Sequence, residues 1–375
     1  MPEDSRTILF AGGGTGGHLY PGIAVAESLR RTHPDLRPLF LCTQKEIDRV
    51  ILEAAEFEFI PQPIVPRQSS IGGLLKFLRG WRETTDLVRR IIRERRPIAC
   101  LGLGGYAAGV GVKQSAQRKI PAAILNPDVI PGKANQYLMR FAKHVCCQFE
   151  QTSNHVPRSE RGKIVTTGCP IRSDIRTLPP RVDAAQRLGL EPRLSTLVVT
   201  GASLGAKTVN EAVLEMLKGQ TLQGWQILHL AGREHAMDVR AGYRELQTPA
   251  RVVDFTPAMA DVWAVADLCV SRSGASSCAE LTACGIPSIL FPYPFHKDMH
   301  QRANAKVLAD AGAAVLIDDE KDRRKNAQKL QPIAASLMYD AAKRQAMGAA
   351  ARKLGKPEAA DAVARLVMKM TEEGR

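Results

Sequence analysis

The sequence predicts an α/β protein made of two parallel sheets covered by helices, and three observations carry that prediction. Short β-branched runs alternate with helical stretches along all 375 residues, the alternation restarts near residue 196, and each half opens on a strand, a glycine-rich loop and a helix. Strands separated by helical stretches of this length pair in parallel and need helices on both faces. A chain this long exceeds the size at which one hydrophobic core keeps growing, so two domains are expected. Hydrophobic residues make up 45% of the chain, enough to fill both cores.

In order, the strands expected in the first half are "TILFA", "PLFLC", "IACLGL", "AAILN", "VCCQF" and "KIVTTG". The second half supplies "TLVVTG", "WQILHLAG", "RVVDF", "LCVSRS" and "SILFPY". Between them "RTLPPRVDAAQRLGLEPRLS" is rich in proline and charge, as a linker would be. The domains are therefore placed at residues 1–175 and 176–355. Each opens as a Rossmann-like sheet does, and in such sheets the ligand lies beyond the carboxyl ends of the strands.

Lysine and arginine total 52 against 38 acidic residues, a net charge of +14. That excess favours a polyanionic partner, a phosphate-bearing substrate or an anionic membrane. Aromatic residues are only 5%, and the chain has no aromatic RNA-binding signature, zinc-finger spacing or basic-leucine heptad, which argues against nucleic acid. "MPEDSRTILFAGGG" lacks the apolar core of a signal peptide, and no apolar run is long enough to span a bilayer. A cytoplasmic protein with at most peripheral membrane contact is expected. The eight cysteines form no CxxC pair and most sit in apolar segments, the pattern of reduced, buried thiols.

The first loop, "AGGGTGGHLYPGIAVAESL", is neither a Walker A motif, since no GK[ST] follows, nor a GxGxxG in spacing. Its glycines admit close backbone approach, and the N–H groups of the following helix suit a phosphate. A tight structural turn is the plainer reading; Thr15 and His18 at the mouth favour a substrate site. Pro21 is expected in the first turn of the helix. "TGASLGAKTVN" puts Ser203 and Gly205 in the equivalent place on the second sheet, with an ordinary N-cap serine as the plain alternative. "SRSGASSCAELTACGIPSILFPYPFHKDMHQRANA" offers Ser273, Ala275 and Ser276 at another helix start. There Glu280 is either the acceptor for a ribose diol or the partner of Ser277 in a capping box. No acidic cluster or helical HxxxH pair supports a metal site around His296–Gln301.

Seven segments in this order, "GGTGGHLYPGIAVAESL", "GLGGYAAGVGV", "PGKANQYLMRFAKHV", "TGCPIR", "GASLGAKTVNEAV", "SRSGASSCAELTACGIPSIL" and "HQRANAKVLADAGAAVLI", resemble the MurG family of peptidoglycan glycosyltransferases. The resemblance covers most of the chain. It implies a GT-B fold, two Rossmann-like domains with parallel sheets facing across a cleft, and a C-terminal helix (about residues 356–375) packed back on the first domain. It also implies transfer of GlcNAc, with inversion, from UDP-GlcNAc to the 4-hydroxyl of MurNAc in the undecaprenyl-diphosphate-linked lipid I, giving lipid II on the cytoplasmic face of the plasma membrane. Neither metal nor cofactor is expected. By motif, donor contacts fall to Thr15, Gly16, Gly17, Arg172, Ser203, Asn210, Thr256, Ser273, Gly274, Ala275, Ser276, Glu280, His300 and Gln301. Acceptor contacts fall to Gly14, Thr15, Gly17, His18, Tyr106, Asp128 and Asn135. His18 is the expected general base, since its ordinary pKa lies near neutrality.

A membrane-bound acceptor also accounts for the charge. Residues 69–96 combine Ile71, Leu74, Leu75, Phe77, Leu78 and Trp81 with many arginines, an interfacial pattern, although an amphipathic helix packed on its own sheet gives the same signal.

Three departures from the family pattern stand out. Asn126, Pro127 and Asp128 replace Glu-Gln-Asn, Leu204 replaces a glutamine, and Cys169 replaces an asparagine. Rival readings are a GT-B transferase acting on another lipid and a catalytically silent nucleotide-sugar-binding homologue.

Overall fold

The computed structural model describes residues 6–67, 70–201, 205–220, 222–295 and 298–373. The chain forms two compact units, one from Met1–Arg172 with Pro357–Arg375 and the other from Ser173–Lys356.

The first unit carries a seven-stranded parallel sheet: β1 (Arg6–Ala11), β2 (Leu36–Thr43), β3 (Glu58–Gln62), β4 (Ala99–Gly102), β5 (Ala122–Asn126), β6 (His144–Cys147) and β7 (Ile164–Thr166). Their spatial order is β3-β2-β1-β4-β5-β6-β7. Strand alternation splits the core between the two faces. Ile8 and Phe10 of β1 join Phe40, Leu101 and Leu125 on one face, while Leu9 and Ala11 join Leu41, Cys100 and Ile124 on the other. The C-terminal helix Ala359–Glu373 belongs to this unit: Val363, Ala364, Val367, Met368 and Met370 enter the first face beside the helix Gly16–Thr32. Asp361 anchors it by accepting from Ser28 Oγ at 2.5 Å and Arg31 Nη2 at 2.6 Å.

The second unit repeats the plan with β8 (Ser195–Thr200), β9 (Trp225–Leu230), β10 (Ala250–Val253), β11 (Ala266–Ser271), β12 (Ser288–Leu290) and β13 (Ala314–Leu316) in the order β10-β9-β8-β11-β12-β13, all parallel. Leu197, Val199, Ile227, Leu268, Val270 and Ile289 fill its core.

The eleven strands expected from sequence are present, and β3 and β13 are additional. Both are short edge strands, and β3 contains Pro61, which only an edge tolerates because the ring cannot donate to a neighbour. The cysteines are unpaired, and all but Cys284 are buried.

Candidate active site

In the first unit the chain winds from β1 out through β2 to β3, then crosses back to β4 on the other side of β1. Such a reversal opens a crevice beyond the strand ends. The segments after β1, β4 and β5 lie there and carry the residues expected to meet the acceptor: Gly14 and Thr15 in the glycine loop, Gly17 and His18 in the first turn of the helix Gly16–Thr32, Tyr106 in the short turn Tyr106–Ala108, Asp128 after β5 and Asn135 on the helix Lys133–Leu138.

The first glycine loop is held from below. Asp48, fully buried, accepts the Gly14 N–H with both oxygens at 2.8 Å, and its Oδ2 also accepts the Thr43 N–H at 2.9 Å and the Thr43 hydroxyl at 2.7 Å. At Gly13 a Cβ would stand 2.3 Å from that same Oδ2, so only glycine fits over the carboxylate. Lys45 Nζ donates to the Gly14 carbonyl at 3.0 Å. The Gly14 amide, expected to face the acceptor, is thus already engaged by the protein. In the first turn of the helix that starts at Gly16, the His18 and Leu19 N–H groups donate to the Thr15 carbonyl at 3.2 and 3.3 Å, so those of Gly16 and Gly17 are the ones left for a ligand. Pro21 lies one turn deeper than expected, inside the helix, so the Gly17 carbonyl lacks its usual N–H partner.

Thr15 is exposed and caps this helix in extended conformation, with its Oγ1 3.1 Å from His18 Nδ1. The His18 imidazole lies along Gly104 and Gly105, where a Cβ on Gly105 would come within 3.2 Å of the ring. Burial pushes the His18 pKa below its ordinary value, while the charges of Asp128 and Asp48 and a bond to the Gly13 backbone partly offset it. Asn135, nearly buried, donates to the Leu125 carbonyl at 2.9 Å and to Asn126 Oδ1 at 3.0 Å; its own Oδ1 has no partner among the described residues. Asn126, where the family usually carries glutamate, donates to the Asp128 carbonyl at 2.8 Å. The Tyr106 hydroxyl would lie 3.7 Å from a Cβ on Gly14, at the rim of the glycine loop. Arg172 ends this unit with its guanidinium 5.1 Å from the Tyr20 ring centre. Cys169 lines a small pocket with Gly17, Pro21, Leu103 and Asn126.

In the second unit the reversal falls between β8 and β11. Ser203 and Leu204 lie outside the described residues. After β11, Gly274 caps the helix Ala275–Cys284, with Ala275 and Ser276 in its first turn. This start excludes the capping box, because Ser277 sits inside the helix rather than at its cap. Glu280 instead accepts the indole N–H of Trp263 at 2.8 Å, half-buried at the rim. Ser273 is fully buried and its hydroxyl donates to the Gln301 carbonyl at 2.9 Å. Its side chain therefore braces the helix His300–Asp310 instead of pointing outward. Gln301 accepts the Tyr293 N–H at 2.9 Å, and His300 Nδ1 lies 2.6 Å from Asp298 Oδ1. Thr256 Oγ1 accepts the Ala258 N–H at 3.1 Å, closing a turn after β10. Asn210, expected beside the donor, is buried with both ends of its amide bonded inside the fold, to His229 and to the Ala231 carbonyl.

Sequence reasoning passed over Asp48, Arg272, Asp319, His229 and Tyr243. Arg272, just after β11, forms a buried ion pair with Asp319 at 2.7 Å and donates to Thr208 Oγ1 at 2.6 Å, tying the segments after β11 and β13 to the start of the helix Lys207–Met216. A signal for Asp48 was present: with Ile51 and Leu52 it makes an acid on the buried i, i+3, i+4 face of a short helix.

Comparison with known proteins agrees with this architecture. Residues 8–147 match the glycosyltransferase family 28 N-terminal domain, and residues 196–363 match the family 28 C-terminal domain. A protein of Desulforudis audaxviator named UDP-N-acetylglucosamine–N-acetylmuramyl-(pentapeptide) pyrophosphoryl-undecaprenol N-acetylglucosamine transferase is 34% identical over 98% of this chain and 99% of its own. The Geobacter sulfurreducens protein of the same name is 36% identical over 95% and 96%. The crystal structure of Acinetobacter baumannii MurG superposes with a TM-score of 0.76 at 26% identity, covering 97% of this chain and 99% of that one. Two parallel Rossmann-like sheets, both family 28 domains and relatives aligned end to end leave one assignment: this chain is a GT-B glycosyltransferase and belongs to the MurG family.

Proposed function

We propose that this protein transfers GlcNAc from UDP-GlcNAc to lipid I, forming lipid II for peptidoglycan synthesis. The observation that carries the reading is the alignment of 98% of the chain with a curated GlcNAc transferase of that specificity. The site chemistry agrees with it. In a single inverting displacement the acceptor 4-oxygen bonds to the anomeric carbon, the bond from that carbon to the β-phosphate oxygen of UDP breaks, and its electron pair leaves with UDP. The proton of the 4-hydroxyl passes to His18. With Nδ1 turned to Thr15 Oγ1, Nε2 of the neutral ring is assigned to accept it. Asp128, Asn135 and Tyr106 are assigned polar contacts to the acceptor sugar, with the charge of Asp128 acting on the base itself.

On the donor side, the helix starts at Ala275 and Lys207 direct main-chain N–H groups toward the diphosphate, where charge grows as UDP leaves. The Glu280 carboxylate is assigned to the ribose hydroxyls and the backbone near Thr256 to the base. No metal is assigned, and turnover in the presence of a chelator is the expected result.

The helix Ile71–Arg95 is assigned to the membrane surface. Ile71, Leu75 and Leu78 are exposed by 82%, 63% and 53%, whereas Phe77 and Trp81 turn toward the core. Lys76, Arg79 and Arg82 flank the exposed leucines, each worth roughly 1 kcal/mol near an anionic leaflet. Among the described residues no helix is long and apolar enough to cross a membrane.

Incubation of the protein with labelled UDP-GlcNAc and a lipid I analogue tests the reading. Labelled lipid II is expected. Transfer to a different lipid, or UDP binding with no turnover, would replace it with one of the two rival readings.

A further inference from the structure

Three buried side chains form a polar chain through the core of the second unit. His229 on β9 is fully buried, and Asn210 and Tyr243 are nearly so, on the helices Lys207–Met216 and Ala236–Glu245. Asn210 Nδ2 lies 3.0 Å from the Ala231 carbonyl, His229 Nε2 lies 3.0 Å from Asn210 Oδ1, and His229 Nδ1 lies 2.8 Å from the Tyr243 hydroxyl.

The direction of every bond follows from the carbonyl end. A carbonyl only accepts, so Asn210 turns its NH2 to Ala231 and its oxygen to His229. That oxygen needs a donor, so the His229 proton sits on Nε2. Nδ1 is then an acceptor and takes the Tyr243 O–H. Burial lowers the His229 pKa to about 3, so the ring stays neutral and keeps this single arrangement at physiological pH.

The far end of the chain reaches the second glycine loop. At Gly205, whose φ of +76° suits glycine, a Cβ would stand 2.2 Å from the Ala231 oxygen and 2.9 Å from Gly232 Cα. The backbone of Gly205 therefore rests directly on the carbonyl that Asn210 holds. Ala206, next in the chain, caps the helix Lys207–Met216.

We propose that His229 is a positioning residue for nucleotide binding: its Nε2–H, aligned by Tyr243, fixes the Asn210 amide so that the Ala231 carbonyl seats Gly205 and the helix start behind it where the donor diphosphate binds. This rests on the assignment of that helix start to UDP. The histidine never touches the ligand and acts through Asn210 alone.

Substitutions at His229 separate the donor group from mere bulk. Glutamine places an N–H close to Nε2, asparagine reaches only as far as Nδ1, and leucine fills space without a donor. With UDP titrated calorimetrically, His229→Gln is expected to bind within about threefold of the parent, whereas His229→Asn and His229→Leu weaken binding about tenfold, with the acceptor KM unchanged. Parent-like binding by His229→Leu, or equal loss in His229→Gln and His229→Leu, would overturn the proposal. If the leucine variant fails to fold, Tyr243→Phe, which removes only the O–H that fixes the ring, is expected to weaken UDP binding by a smaller factor, and no change would count against the relay. Failure of the parent protein to bind UDP would sink the donor-site assignment instead. In that case amide exchange decides: faster exchange at Gly205 and Ala206 in His229→Leu but not in His229→Gln supports the relay, and unchanged exchange refutes it.

Discussion

Asp48 accepts the Gly14 N–H with both carboxylate oxygens, 34 residues away in sequence and fully buried beneath the loop it supports. An anion placed under a loop assigned to a diphosphate looks unfavourable. Three donors and the nearby Lys45 ammonium balance it, and the arrangement fixes the glycine backbone before any ligand arrives. Asp48→Ala leaves those donors buried without acceptors, at about 1–3 kcal/mol for each. A loss of about 3 kcal/mol or more in denaturant unfolding of the first unit is expected, together with a raised acceptor KM. Unchanged stability would mean that the carboxylate does not hold the loop.

The position of His18 sets a pH profile. Its pKa lies below the ordinary histidine value because burial disfavours the imidazolium, and the charge of Asp128 is the largest effect opposing that shift. A base must be neutral, so kcat/KM falls as pH drops through the folded pKa, and the acid limb lies below pH 6.5. Asp128→Asn removes the opposing charge and lowers the His18 pKa further. Its acid limb is therefore expected to move to lower pH, whatever its effect on the plateau. Rate profiles of the two proteins check this, and a limb that moves upward or stays fixed would exclude His18 as the titrating base.

Exposed side chains on the helix Ile71–Arg95 give a third test. Gly73, Gly80, Thr84, Val88 and Ile91 form its buried face, and Gly80 packs so closely that a Cβ would stand 2.7 Å from the Pro63 carbonyl. Ile71, Leu75 and Leu78 take no part in that packing. The triple replacement Ile71→Glu, Leu75→Glu and Leu78→Glu is expected to lower sedimentation with anionic phospholipid vesicles by at least about tenfold while leaving the melting temperature unchanged. Retained vesicle binding would place the membrane face elsewhere.

What the sequence disclosed and what it hid divide along a physical line. The glycine loops, Thr15, His18 and the helix start at Ala275 were legible because a strand, a loop of permissive backbone and a helix N-terminus are local features. The pairings Asp48–Gly14, Arg272–Asp319 and Tyr243–His229–Asn210 were not, because each joins elements separated by 14 to 47 residues and only the folded sheet brings them together. The apolar residues of 71–81 showed two candidate faces. Packing decided between them: Gly80 rests on Pro63, Phe77 and Trp81 turn toward the core, and Leu75 stays outward. Ser273 and Asn210 were read as ligand contacts from motif position, yet their side chains are consumed inside the fold.

Arg272 and Asp319 form the most buried ion pair among the described residues of the second unit, with side-chain exposures of 8% and 0%. Burial pushes the Asp319 pKa up, but bonds from Thr208, Asn326, Arg272 and the Lys321 N–H outweigh it, and the net shift is downward. A folded pKa below the ordinary aspartate value adds stability that is present above that value and lost as pH falls through the folded one. Asn326 Nδ2 at 2.8 Å and the Phe291 and Pro292 carbonyls at 3.2 Å complete the network. Arg272→Met or Asp319→Leu alone strands an uncompensated charge in the interior, and each is expected to cost about 3–5 kcal/mol. The double variant removes both charges together, so its loss is expected to fall well short of the sum of the single losses. A double-mutant cycle on the unfolding free energy measures the coupling. Strict additivity would show that the two side chains stabilise the donor-side loops independently, and that Thr208 and Asn326, not the ion pair, hold them in register.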